Sequence, residues 1–173
     1  MENKDFTLYP ESFELKQLGF DEPCFTFYQV EYHENSPIMV DDNDQYRITG
    51  FRTCKNSEIP SHYISCPTYS QAFRWFREKY DLHVQIRKEN YFQKRKYEYY
   101  HFDISKGEEN DITNQEVLLD EIFNECSQDI PGNHLNDEMY SKLIFEKGFA
   151  FKTYEEAELA CIKELIKIVK NKQ

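Results

Sequence analysis

Bases and aromatic rings alternate through one part of this chain in the way that ligand sites for anions use them. Residues 74–97 carry 8 bases and 3 acids, within a chain of formal charge −11. Arg74 and Arg77 stand three apart, Trp75 lies between them, and Arg87 follows; Tyr91 and Tyr99 interleave with Lys88, Lys94, Arg95 and Lys96. A guanidinium fork holds phosphate or carboxylate oxygens in a bidentate fashion, and an aromatic face beside it stacks a base at ~1 to 3 kcal/mol. Arg74, Trp75, Arg77, Arg87, Tyr91 and Tyr99 are therefore the candidate ligand-binding residues, and the ligand they suit is small, anionic and nucleotide-like. The competing reading makes the arginines a solvated helix face, Lys94 to Lys96 a hairpin tip, and the rings core. A third reading docks the acidic stretches of a second copy on this segment, giving a homo-oligomer.

Other chemistries find no foothold. The five glycines are Gly19, Gly50, Gly107, Gly132 and Gly148, so neither a dinucleotide fingerprint, nor a P-loop, nor a Gly-x-Ser-x-Gly elbow is spelled anywhere. The run Asp41, Asp42, Asn43, Asp44 lacks the glycine and the distal glutamate of a calcium loop. Cys54, His62 and Cys66 lie close in sequence without the paired spacing of a zinc site. Cys126 and Cys161 fall on apolar stripes and read as small core residues. No catalytic residue, metal ligand or cofactor is assigned.

The totals bound the class of protein. With 173 residues, 39% hydrophobic and 31% charged, the chain reads as one domain able to bury about 70% of its unfolded surface. The 14 Phe and 13 Tyr must fill much of its core. Residues 1–45 hold 11 acids against 2 bases and residues 98–140 hold 12 against 1, a distribution that argues against general DNA binding. No apolar run approaches the ~20 residues of a membrane span. Five cysteines, an odd number without a secretory leader ahead of them, suit a reducing compartment, and the expected location is the cytoplasm.

The elements that must position these residues alternate between helix and strand. Residues 10–18 read as a short helix, with Pro10 early and Gly19 at its end. Residues 24–32 and 46–51 read as strands of a hairpin with an acidic tip at Asp41 to Asp44. Thr68 and Gln71 form a capping box that opens a helix whose inward face is Tyr69, Ala72, Phe73, Phe76 and Tyr80. Residues 82–87 alternate strictly, with Leu82, Val84 and Ile86 inward, and residues 97–104 are the expected antiparallel partner. A second box at Thr113 and Glu116 predicts a helix carrying Leu118, Leu119, Ile122, Phe123 and Cys126. Residues 143–145 and 149–151 predict a tight hairpin. Thr153 and Glu156 open a last helix, to about Lys170, with Ala157, Cys161, Leu165 and Ile168 buried. The expectation is a single α+β domain over 1–173, a mainly antiparallel sheet of hairpins with three to four amphipathic helices on it and an acidic loop-helix insertion at about 105–137.

Three blocks carry a family likeness: Leu15-Lys16-Gln17-Leu18-Gly19-Phe20-Asp21-Glu22-Pro23-Cys24, then Gln71-Ala72-Phe73-Arg74-Trp75-Phe76-Arg77-Glu78-Lys79-Tyr80, then Thr153-Tyr154-Glu155-Glu156-Ala157-Glu158-Leu159-Ala160-Cys161. With these the chain resembles small proteins, of no assigned activity, encoded by phages and prophages of Bacteroides-type bacteria. The resemblance implies a virus-encoded accessory protein in the host cytoplasm and transfers no catalytic residue. Such proteins often counter host defence by sequestering a nucleotide signal or by binding a host defence protein. Non-enzymatic binding of a nucleotide-like anion is the leading expectation. An acidic interaction module that inhibits a host protein comes second, and a nucleotide hydrolase third.

Overall fold

The computed structural model describes residues 3–29, 31–33, 36–39, 47–48, 53–91, 97–107, 110–113, 145 and 150–172. They form an α+β fold in which every strand pair among the described residues is antiparallel. The chain groups into two compact units, one of residues 1–80 with 162–173, the other of residues 81–161.

In the first unit, helix α1 (Tyr9–Gln17) carries Pro10 in its first turn and ends as glycine dictates. Gly19 takes φ +85°, its N–H donates to the Lys16 carbonyl at 3.0 Å, and the Phe20 N–H donates to the Leu15 carbonyl at 2.9 Å. This left-handed C-terminal turn brings two fully buried side chains, Leu15 and Phe20, one after the other into the core. The Leu18 carbonyl then accepts from Lys79 Nζ at 3.0 Å and from the Tyr80 hydroxyl at 3.3 Å, both on helix α2 (Tyr69–Tyr80). Helix α2 opens with a reciprocal box: the Gln71 N–H donates to Thr68 Oγ1 at 3.2 Å, and the Thr68 N–H donates to Gln71 Oε1 at 3.0 Å.

The sheet of this unit has the order β4 (Arg47–Ile48), β1 (Thr26–Gln29), β5 (Tyr63–Ser65), and the intervening chain makes a separate pair, β2 (Glu31–His33) with β3 (Ser36–Met39). Helix α1 is fixed to β5 by Lys16, whose ammonium donates to the carbonyls of Tyr63 at 2.7 Å and Ser61 at 3.3 Å; burial lowers its pKa. Phe6, Tyr28, Ile64 and Cys66 make a core cluster, with Tyr9 and Phe13 packed against it. The buried Thr7 carbonyl accepts from the Tyr28 hydroxyl at 2.9 Å and from the Cys66 thiol at 3.3 Å.

In the second unit, β6 (Leu82–Tyr91) and β7 (Tyr97–Lys106) pair along their whole length, from Leu82 opposite Lys106 to Tyr91 opposite Tyr97. Strand β8 (Asn110–Thr113) adds to the far side of β7. Phe151 bridges Tyr100, with N–H to carbonyl distances of 2.9 Å in both directions. Helix α3 (Tyr154–Lys170) begins in this unit, capped where the Glu156 N–H donates to Thr153 Oγ1 at 3.1 Å, and ends in the first. Ala157, Cys161, Ile162, Leu165, Ile166, Ile168 and Val169 are its buried residues, the expected stripe and its flanks.

Four expectations need correction or fall outside the described residues. Trp75 belongs to the buried face of α2, where Phe73 is only half-buried. The 24–32 and 46–51 strands do pair, Thr26 opposite Ile48, but β5 on the other side of β1 was not foreseen, and Asp41 to Asp44 lie outside the described residues. Thr113 closes strand β8, and the helix expected from Glu116 onward also lies outside them. Phe145 has helical backbone, and Phe151 pairs with β7, where the sequence suggested a local 143–151 hairpin.

Gly19→Ala tests the α1 stop. A Cβ there meets Lys79 Nζ at 3.2 Å, a flexible tip that can yield, so the left-handed backbone sets the cost. The expected loss is about 1 to 2 kcal/mol in urea unfolding; an unchanged midpoint would contradict the assigned geometry.

Candidate functional site

The β6–β7 ladder sorts side chains by parity, because residues opposite one another share a face. On one face, the register sets Arg87 opposite His101 and Gln85 opposite Asp103, with Tyr99 next along β7. On the other lie the buried Leu82, Phe102 and Ile104. The central residues of β7 are thus buried on both sides, one apolar and one polar.

The polar face holds a connected group. Arg87 Nη2 stands 3.3 Å from Asp103 Oδ2 and donates to Gln85 Oε1 at 2.9 Å. The Arg87 side chain is 39% exposed and that of Asp103 is 11% exposed, so the pair bridges solvent and interior. Solvent screening at the guanidinium keeps such a pair to about 1 kcal/mol. Tyr99 and His101 are buried with ring centroids 6.1 Å apart. His101 is 1% exposed, yet among the described residues neither Nδ1 nor Nε2 has a hydrogen-bond partner. Leaving a buried polar group unsatisfied costs about 1 to 3 kcal/mol, so the imidazole sits where a donor and an acceptor are still to be matched. Gln85 and His83 are exposed on β6, the outer strand of this sheet among the described residues.

The six residues singled out in the sequence divide between the two units. Arg87 and Tyr99 meet on the polar face just described, and Tyr91 stands opposite Tyr97 in the same ladder. Arg74, Trp75 and Arg77 belong to α2 in the first unit. Trp75 is 6% exposed, with ring centroids 5.5 Å from Phe20, 5.0 Å from Phe76 and 5.3 Å from Tyr80, and Lys79 Nζ 4.8 Å above its ring. Its faces are taken up by packing. Arg74 is exposed and 3.9 Å from Glu22 Oε2, while Arg77 is exposed and makes no ion pair among the described residues. Lys88 is held at 2.6 Å by Glu98, whose hydrogen bond raises the lysine pKa.

His101 is the residue that sequence reading passed over. The clue was the run from Tyr97 to Ile104, in which both parities carry bulky groups; it marks a strand covered on both faces, where a histidine cannot be solvated.

A pocket of about 300 Å³ lies in the first unit, lined by Pro10, Glu11, Glu14, Lys163, Ile166 and Lys170, among others. Lys170 pairs with Glu14 and Lys163 Nζ lies 3.8 Å from Glu11 Oε1, while Glu11 Oε2 is buried without a hydrogen-bond partner among the described residues. No group of three or more metal-ligating side chains is present among the described residues, and no helix among them is long and apolar enough to cross a membrane.

No protein-family model, curated protein or solved structure matches the chain. The likeness to phage-encoded proteins rests on its three sequence blocks alone.

His101→Phe keeps the outline of the ring and removes both unmatched nitrogens. Its expected effect is a stability gain of about 1 kcal/mol or more by chemical denaturation; a loss would show that the imidazole nitrogens are engaged.

Proposed function

We propose that this chain is a non-enzymatic binding protein for a small anionic, nucleotide-like ligand, held on the polar face of the β6–β7 hairpin. The observation that carries the reading is the buried imidazole of His101, without a hydrogen-bond partner among the described residues, opposite the half-exposed guanidinium of Arg87. A neutral imidazole offers one donor and one acceptor, and a guanidinium offers a fork of donors. A phosphate takes the Arg87 fork and the imidazole N–H, while a hydroxyl or amino group of the same ligand donates to the second ring nitrogen. Asp103 keeps the guanidinium aimed when the site is empty, and Tyr99 backs the imidazole. The two ring nitrogens point to different edges of the imidazole, so a single phosphate group reaches only one of them, which favours a nucleotide over inorganic phosphate. In a phage-encoded accessory protein, the role the sequence blocks imply, such a site would sequester a host nucleotide.

The test is calorimetric titration with AMP, cyclic AMP, ADP-ribose and inorganic phosphate. At least one nucleotide is expected to bind more tightly than phosphate, and Arg87→Gln is expected to weaken it ~10- to 100-fold, the value of a charge-assisted hydrogen bond of ~1.5 to 3 kcal/mol. No binding by any nucleotide would overturn the proposal. So would binding abolished by Arg74→Glu with Arg77→Glu but untouched by Arg87→Gln, which would move the anion to α2.

A further inference from the structure

The sequence scatters its cysteines, but the fold sets two of them face to face. Two residues ahead of β1, Cys24 forms an isolated antiparallel bridge with Cys54: the Cys24 N–H donates to the Cys54 carbonyl at 2.8 Å, and the Cys54 N–H donates back to the Cys24 carbonyl at 2.9 Å. Two residues that exchange both backbone hydrogen bonds are directly opposed, with Cα atoms about 5.5 Å apart and side chains on the same face of the ladder. That separation falls inside the ~4.4 to 6.8 Å window over which a disulfide spans two Cα atoms. Opposed Cβ atoms typically lie ~4.5 to 5.5 Å apart, so closure draws them in by about 1 Å. Both residues are thiols in this structure.

We propose that Cys24 and Cys54 are an oxidation site, a cross-strand dithiol that closes to a disulfide when the protein meets a peroxide. The two thiols have different exposures, and this fixes their roles. Cys54 is partly exposed, whereas Cys24 is 1% exposed. Burial pushes the Cys24 thiol up to about 12, so it is not the group that meets oxidant. The Cys54 thiolate attacks one peroxide oxygen, the O–O bond breaks, hydroxide leaves, and Cys54 becomes a sulfenic acid. Cys24 sulfur then attacks the Cys54 sulfur; the S–O bond breaks, and the hydroxyl departs with the Cys24 proton as water. Two electrons pass from the thiol pair to the peroxide, and nothing else is consumed.

A third thiol lies nearby and supplies the control. Cys66 is buried, its thiol donates to the Thr7 carbonyl at 3.3 Å, and burial pushes it up to about 12 as well. Its backbone N–H goes to the Thr26 carbonyl at 2.9 Å, so it stands opposite neither Cys24 nor Cys54 in the ladder. Direct opposition selects Cys54 as the partner of Cys24.

The experiment treats the folded chain with a modest excess of hydrogen peroxide, quenches with a thiol-blocking alkylator, and maps disulfide-linked peptides by mass spectrometry. The expected result is a Cys24–Cys54 linked peptide in most molecules, returned to free thiols by dithiothreitol. Cys54→Ser, a change at a partly exposed position, is expected to remove the link while leaving the unfolding transition in place, and to leave Cys24 reduced. Over-oxidation of Cys54 to a sulfinic acid without a link, or a dominant Cys24–Cys66 link, would overturn the proposal.

Discussion

Strand β7 cannot face water on either side at its centre, and the character of the second unit follows from that constraint. Ile104 and Phe102 meet it in the ordinary way, by apolar burial. Tyr99, His101 and Asp103 meet it by polar contact, which succeeds only if each polar atom finds a partner. Asp103 finds Arg87 across the ladder, since pairing of Gln85 with Asp103 and Arg87 with His101 leaves the carboxylate one diagonal step from the guanidinium. His101 finds none. An imidazole with no partner among the described residues thus lies beside a cation that reaches solvent.

The first unit obeys a different rule, in which one carbonyl organises several elements. The αL residue Gly19 turns the chain so that the Leu18 carbonyl faces α2, where Lys79 and Tyr80 donate to it, and Phe20 meets Trp75 edge to face. From the same turn, the Phe20 carbonyl accepts from Asn56 Nδ2 at 2.8 Å, and Asp21 accepts from the Ser57 backbone N–H at 2.7 Å. The segment carrying Cys54 is thus fixed against the segment carrying Cys24 by side chains as well as by the bridge. Holding the two thiols in register is a consequence of helix termination several residues earlier in the chain.

Much of this was legible in the sequence where local chemistry decides the outcome. Thr68 with Gln71 and Thr153 with Glu156 announced two helix starts, Gly19 announced a helix end, and the strict alternation from Leu82 to Arg87 announced a strand with residues 97–104 as its partner. Where long-range packing decides, local signals failed. Trp75 sits between two arginines, so it read as part of a basic face, but its helical angle places it beside Phe76 and Tyr80 under Phe20. The pairing of β5 with β1, and of Cys24 with Cys54, joins segments far apart in the chain, and no spacing rule marks such partners. His101 needed the β6–β7 register before it could be set opposite Arg87; parity alone leaves every slip by two residues open.

The proposed site requires His101 to complete its hydrogen bonds with a ligand. Imidazole ¹⁵N–¹H correlation spectra of the labelled protein, recorded while AMP is titrated in, read those nitrogens directly. On binding, the His101 ring nitrogens are expected to shift in step with saturation, and the ring N–H to become protected from solvent exchange. Saturation by AMP with the His101 ring signals unmoved would contradict it.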